Sequence, residues 1–336
     1  LVLEMEDPRR VGSVIATTFG GVEYATRQIE QFHTRGPRFV SPYTAIAWLH
    51  VANVGQASVR YGLQGYCKTP VNDLAGGLDA LGMAYKAIQH NAADILIAGG
   101  SEAPLHPHAL HILEASLPLC QAGEAYRPFD LRASGLHIAE GAGICILEEY
   151  EHALRRGAPI YGEIVGYSQT CSPRDAITLD PPAETAYTQA LQLVLDEAAL
   201  VPDGVGCVYL DGRALPDWDI SETNALRNVF GAAFETLFCS VPRTQFGHAL
   251  AAAGALDTIS ALLTLQEGII PPMLDYQQPD LRSYLPGMVT KQAQRVKKPT
   301  GAVLLCARSL GGSHSCLALR QAEHQERKER VPQKLA

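Results

Sequence analysis

Residues Asn72–Glu102 read NDLAGGLDALGMAYKAIQHNAADILIAGGSE, and the succession of residue types here decides how the rest of the chain is placed. Ala75-Gly76-Gly77 carries no bulky side chain, so backbone approaches closely at this elbow, and Asn72 or Asp73 is available to cap the helix that follows. Leu78, Leu81, Gly82, Ala84, Tyr85 and Ile88 then recur at helical spacing. After Asn91 the pattern changes: Asp94-Ile95-Leu96-Ile97-Ala98 is a short apolar run ended by Gly99-Gly100, which suits a strand buried on both faces. Elbow, buried helix and buried strand in succession predict an α/β core.

Composition supports a substantial core, with 336 residues, 47% hydrophobic and 18% charged. A formal net charge of −8 and a pI near 5.8 argue against a general nucleic-acid or membrane-surface binder, while leaving room for a local basic patch facing an acidic partner. No uncharged apolar run is long enough to span a bilayer, and LVLEMEDPRR is no signal peptide, so a cytoplasmic protein is expected. The eight Cys (67, 120, 145, 171, 207, 239, 306, 316) form no CxxC pair, so neither a metal site nor a disulfide framework is expected. Most lie in apolar runs and read as buried thiols. No cofactor is implied.

The stretch resembles the nucleophile region of β-ketoacyl synthases, where a Cys at the elbow precedes the helix and an AGG[AS]E strand end. Counting back without a gap from Ala98-Gly99-Gly100-Ser101-Glu102, the Cys position falls on Leu74, which has neither lone pair nor ionisable proton with which to attack a thioester. The flanking AGGLDALG is closer still to the chain-length factor, or ketosynthase beta subunit, of type II polyketide synthases, a family with the ketosynthase fold and no nucleophile. That resemblance implies an α/β thiolase fold of duplicated halves in a five-layered α-β-α-β-α arrangement. Residues 1–159 would be the N-terminal half, 160–322 the C-terminal half and 323–336 a charged, frayed tail. The chain enters almost at once on the strand Arg10–Ala16, so a strand and helix that the family carries first are expected to be missing here.

Four further stretches carry the same resemblance. Tyr126-Arg127-Pro128-Phe129-Asp130 with Ala139-Glu140-Gly141-Ala142-Gly143 is similar to the RPFD and GEGAG signature. Asp211-Gly212-Arg213-Ala214-Leu215-Pro216-Asp217 stands where active ketosynthases carry a His-Gly-Thr loop. Arg213 is near the His position, able to hold a carboxylate or phosphate and unable to trade a proton near neutral pH. Arg243-Thr244-Gln245-Phe246-Gly247-His248 resembles the KSxxGH motif, with Arg243 for the Lys and His248 retained either as a remnant or as a polar group facing a partner. Leu310-Gly311-Gly312-Ser313-His314 is a reduced form of the GFGGTN gate.

Gly20-Gly21 opens a helix on which Val22, Ala25 and Ile29 share a face. Spacing alone reads as core packing; the resemblance implies that these residues close the end of a growing-chain tunnel at a heterodimer interface. On that reading Ala25→Trp shortens the products. Ser41–Gln56, with Tyr43, Trp48 and Leu49, reads as a buried helix abutting the partner, and His50 within it as a packed or capping residue. His106, His108 and His111 read as an exposed helix start without a metal set.

The resemblance thus implies a non-catalytic subunit that pairs with a catalytic ketosynthase and sets chain length as malonyl units condense on acyl carrier protein. Arg35, Arg38, Arg60 and Lys68 are candidate docking residues for that acidic carrier. The alternative is a self-sufficient condensing enzyme or malonyl-carrier-protein decarboxylase with a relocated catalytic group. A serine hydrolase around Ser101 is disfavoured, because GGSEA is not GxSxG.

Overall fold

The computed structural model describes residues 1–121, 123–172, 184–296 and 301–322. The 323–336 tail falls outside them. In chain order the first sheet and its helices are β1 (Val11–Ala16), α1 (Val22–Arg35), α2 (Thr44–Ala47), α3 (Ala52–Tyr61), β2 (Cys67–Lys68), α4 (Gly76–Gln89), β3 (Ile95–Glu102), α5 (Pro107–Ser116), β4 (Gly141–Glu148) and α6 (Tyr150–Arg155). The second set is β5 (Glu163–Cys171), α7 (Glu184–Glu197), β6 (Val205–Tyr209), α8 (Pro216–Phe230), β7 (Phe238–Ser240), α9 (Ala253–Glu267), β8 (Ile269–Ile270), β9 (Gln294–Arg295), β10 (Ala302–Arg308) and β11 (Ser313–Arg320).

The first sheet runs β2-β1-β3-β4 and the second β5-β11-β10-β6-β7. Read from the other end, β7-β6-β10-β11 repeats β2-β1-β3-β4 in order and in relative direction: three parallel strands, then an antiparallel one. The helix between the second and third matching strands, α4 in one and α9 in the other, occupies the same place in each. This is the duplication that no sequence repeat disclosed. β5 pairs outside β11 and has no counterpart beside β4 among the described residues, so Ile144 and Ile146 on β4 stand exposed.

The parity of side chains along the strands defines the layers. Cys207, Tyr209, Val303, Leu305, Leu317 and Leu319 point to one core with Leu78, Leu81 and Ala255 of the central helices. Val208, Leu304, Cys306, Cys316 and Ala318 point to another, with Tyr187, Leu191 and Leu226 of α7 and α8. Alternation with both faces buried is what a sheet between two helical layers requires. On the first sheet Val14, Leu96 and Ala98 face α4, while Val11 and Ile95 face Leu63 and Ala57 beside α3. The five layers are therefore α3, sheet, α4 with α9, sheet, α7 with α8. The central helices approach closely: a β-carbon on Gly77 would sit 2.4 Å from the Ala251 carbonyl oxygen.

Several local expectations are corrected. Neither Asn72 nor Asp73 caps α4; Ala75 holds the N-cap position, after a single turn Asp73–Ala75, and the Asn72 amide instead donates to Asp79 Oδ2 at 2.5 Å. Ser41–Gln56 is not one buried helix. It divides into α2 and the start of α3 around a turn at Trp48–Val51, because the Ala47–Trp48 backbone lies against Gly20–Gly21 and the His50 ring reaches the Thr18 carbonyl. Of α3 only Val54 is buried. Cys67, Cys120 and Cys145 are half-buried and Cys171 exposed, leaving four buried thiols, all eight Cys being unpaired.

Candidate functional site

The elbow places Leu74 at the head of α4, in a turn whose preceding residue, Asp73, adopts φ 31°, a region unfavourable for a side chain. The Asp73 carboxylate accepts the Leu310 N–H at 3.0 and 3.1 Å, fastening the Ser309–Gly312 loop between β10 and β11 to the elbow. Leu74 is 1% exposed and lies in an apolar cluster with Leu113, Leu117, Tyr126, Leu136, Ala214 and Leu250. The position that would hold a nucleophile is filled with hydrocarbon on both sides of the residue. Cys67 has its thiol beside Ser58 Oγ (3.4 Å) and Ser13 Oγ (3.7 Å), away from this cluster.

Arg213 and His248 converge on a fully buried charge network next to Leu74. Asp211 is its centre: Oδ2 accepts Arg213 Nε at 2.9 Å and Arg308 Nε at 3.0 Å, and Oδ1 accepts the Arg308 backbone N–H at 3.1 Å. Arg308 continues to Glu222 Oε2 (3.2 Å) and the Trp218 carbonyl (3.0 Å). Arg213 stacks 4.0 Å from the centroid of Trp218, and its Nη1 has no hydrogen-bond partner among the described residues. Burial alone would raise the Asp211 carboxyl, but Arg213, Arg308 and Arg243 outweigh it and hold the group well below the usual carboxylate range. Asp219, which accepts the Phe129 and Arg213 backbone N–H groups, is pushed up to about 8 by burial and by Glu222. The carboxylate that the Arg213 position holds thus belongs to this chain itself.

His248 is equally enclosed, which removes the expectation that it faces a partner. Its Nδ1 accepts the Leu250 N–H at 3.1 Å, which takes the single lone pair of a neutral imidazole and puts the ring proton on Nε2, 2.7 Å from Arg243 Nη1, so no lone pair is left for a substrate. Burial and the Arg243 charge hold the imidazolium far from populated, its titration lowered well below the ordinary histidine value. Arg243 itself is fixed by Asp257 through both Nε, at 3.1 Å, and Nη2. A neutral imidazole whose one lone pair is already taken cannot serve as a general base at this place.

None of the residues of α1 is fully buried. Val22 and Ala25 are half-buried, Ile29 is 54% exposed, and Phe32 continues the same face, so an amphipathic helix presents its apolar side uncovered. Tyr43 (70% exposed), Ile46, Trp48, Val51 and Phe39 extend this surface, with Leu49 half-buried beside them in an open cleft with Val54, Cys67 and Lys68. The structure brings Val22, Ala25, Ile29, Tyr43 and Trp48 to the exterior, and Leu74, Arg213 and His248 to one buried centre. Among the described residues no three His, Cys, Asp or Glu side chains group as a metal site, and no helix is long and apolar enough to cross a membrane. His106 caps α5, while His108 and His111 are exposed.

Residues 2–153 match the β-ketoacyl synthase N-terminal domain and residues 161–277 its C-terminal domain. A putative polyketide beta-ketoacyl synthase 2 of Streptomyces coelicolor is 34% identical over 325 residues, 95% of this chain and 74% of that relative. The chain belongs to the β-ketoacyl synthase family. The tetracenomycin polyketide synthase ketoacyl synthase beta subunit of Streptomyces glaucescens is 33% identical over 326 residues, 95% of this chain and 76% of the relative. A solved complex of a type II polyketide synthase acyl-carrier protein with its ketosynthase bound to the hexaketide aligns at TM-score 0.86 and 29% identity, covering 96% of this chain and 81% of that one.

The elbow, the Arg213 loop and the His248 turn are the three places where the resemblance puts the catalytic groups of active ketosynthases, two of them replaced here, and all three meet around Leu74. Asp211, Asp219, Glu222, Asp257 and Arg308, which surround them, were missed. Asp219 and Glu222 lie three apart on α8 beside a Trp, a pattern that marks a helix carrying acids on its buried side. Arg308 ends an apolar strand in a sequence that gives no hint of its partners. Glu102, legible only as the last letter of the AGGSE strand end, is 6% exposed and binds the loop that starts α1.

Proposed function

We propose that this ketosynthase-family synthase subunit is non-catalytic by itself. On this reading it pairs in the cytoplasm with a catalytic ketosynthase and sets the length of the polyketide made by decarboxylative condensation of malonyl units on acyl carrier protein. The observation that carries the reading is the filled elbow: an inert Leu74 packed among leucines, with the lone pair of the buried His248 imidazole taken by the Leu250 N–H. Acyl transfer needs a nucleophile and a base within reach of it, and this centre has neither free. The apolar residues left uncovered on α1 and on the Tyr43–Val51 segment favour a large partner interface, because a soluble surface rarely exposes so many together. Val22, Ala25 and Ile29 then act as the tunnel gate and Tyr43, Trp48 and Leu49 as interface.

Arg35, Arg38, Arg60 and Lys68 are exposed, Arg35 over Phe39, Arg60 over Tyr61 and Lys68 over Tyr66, and are proposed to meet the acidic carrier protein. The test is reconstitution with a ketosynthase that carries the intact Cys and is encoded beside this chain. With that partner, malonyl-carrier protein yields polyketide, and Ala25→Trp moves the products to shorter lengths. Carbon dioxide release or condensation by this chain alone refutes the non-catalytic reading in favour of a self-sufficient condensing enzyme or decarboxylase.

A further inference from the structure

We propose that Glu102 is a positioning residue for α1: it holds the strap Thr17–Phe19 that sets where the Val22, Ala25 and Ile29 face stands, and His50 ties that strap to the interface segment. This rests on the chain-length reading above. Glu102 closes β3, and its two oxygens take three donors from the strap: Thr18 N–H at 2.6 Å on Oε2, Phe19 N–H at 3.0 Å and Thr17 Oγ1 at 3.2 Å on Oε1. Thr17 Oγ1 in turn accepts the Gly20 N–H at 3.1 Å. Thr18 is shared further, its hydroxyl reaching the Asp73 carbonyl at 3.3 Å and its carbonyl accepting His50 Nε2–H at 2.7 Å.

The joint to the interface segment is backbone on backbone. A β-carbon on Gly21 would fall 2.2 Å from the Ala47 carbonyl oxygen, and Gly20, at φ +55°, would bring one within 2.9 Å of the Trp48 carbonyl oxygen. Gly20-Gly21 is therefore required by contact with Ala47–Trp48 as well as by conformation. Because α1 has no fully buried residue, its lead-in carries much of what fixes its position. A carboxylate suits the task, since both oxygens accept, whereas an amide would turn an N–H toward backbone N–H donors.

The experiment uses the full chain reconstituted with the same catalytic ketosynthase, carrier protein and malonyl donor, comparing product lengths by mass spectrometry at equal heterodimer concentration. Glu102→Gln is expected to raise the ratio of off-length to main product several-fold with the heterodimer intact. His50→Ala broadens the products in the same way, and His50→Gln, which keeps an N–H toward the Thr18 carbonyl, restores them. If Glu102→Gln does not assemble, Thr17→Val removes one donor to the carboxylate and is read identically. An unchanged product distribution in these variants, while Ala25→Trp shifts it, overturns the role of Glu102 and leaves the chain-length reading standing. If Ala25→Trp also changes nothing, the chain-length reading itself fails, and the positioning role with it.

Discussion

At Leu74 the question is whether chemistry could be restored by one atom. Leu74→Cys would place a thiol among Leu113, Leu117, Tyr126 and Leu136, where burial raises thiols as it raises Cys145 to about 11. His248 would remain engaged by Leu250 and Arg243. The variant is expected to form no acyl-enzyme with malonyl- or acetyl-carrier protein by intact mass, and to lose about 1–3 kcal/mol in urea unfolding from the removed methyl groups. An acyl adduct on the introduced thiol would show that the centre is merely lacking its sulfur. Position 74 was legible because the helix and strand after it leave no gap in the count to Gly99-Gly100. The partners of Arg213 and His248 were not: Asp211 and Arg308 are 97 positions apart, and nothing local distinguishes an arginine that will be buried from one left in water.

At the scale of elements, two glycines in helices make opposite demands. Gly77 faces the Ala251 carbonyl across the contact of α4 with α9, so Gly77→Ala forces the two central helices apart and is expected to cost about 1–3 kcal/mol. Gly55, in the middle of α3 with nothing within 4 Å of its absent β-carbon, gains helix propensity as Ala, about 0.5–1 kcal/mol. Thermal unfolding of the two single variants separates the effects; equal shifts of one sign would contradict the packing of α4 against α9. The small elbow was readable as a place of close approach, and α4 and β3 as helix and strand, because periodicity survives when every face is buried by similar residues. The Ser41–Gln56 stretch misled for a related reason. Its apolar residues look like a buried helix, yet the turn at Trp48–Val51 is dictated by Gly20–Gly21 and Thr18, which lie some thirty positions earlier, and its side chains are left uncovered.

For the molecule as a whole, buried titratable groups of opposite sense set how stability follows pH. His248 and His314, the latter lowered to about 3 by burial and Arg308, stay neutral when folded but take protons when unfolded, so stability is lost as pH falls below about 6.5. Asp219 acts the other way. Its folded value of about 8 against 3.8 for the free group means that between these values the folded chain keeps a proton the unfolded chain releases, so its contribution is complete below 3.8 and lost as pH rises through 8. Between pH 6.5 and 8 the two imidazoles no longer contribute and Asp219 still does; His152, raised by Glu148, adds the same sign there. Stability is therefore expected to decline across that window. Asp219→Asn, which cannot ionise, lowers the level by sacrificing one acceptor for Phe129 or Arg213 but flattens the decline, leaving the His152 share. Urea midpoints at pH 6.5, 7.2 and 8.0 for the two proteins measure the difference in slope. Parallel slopes would mean that Asp219 is already ionised beside Glu222, and that the three arginines are balanced by a full set of carboxylates.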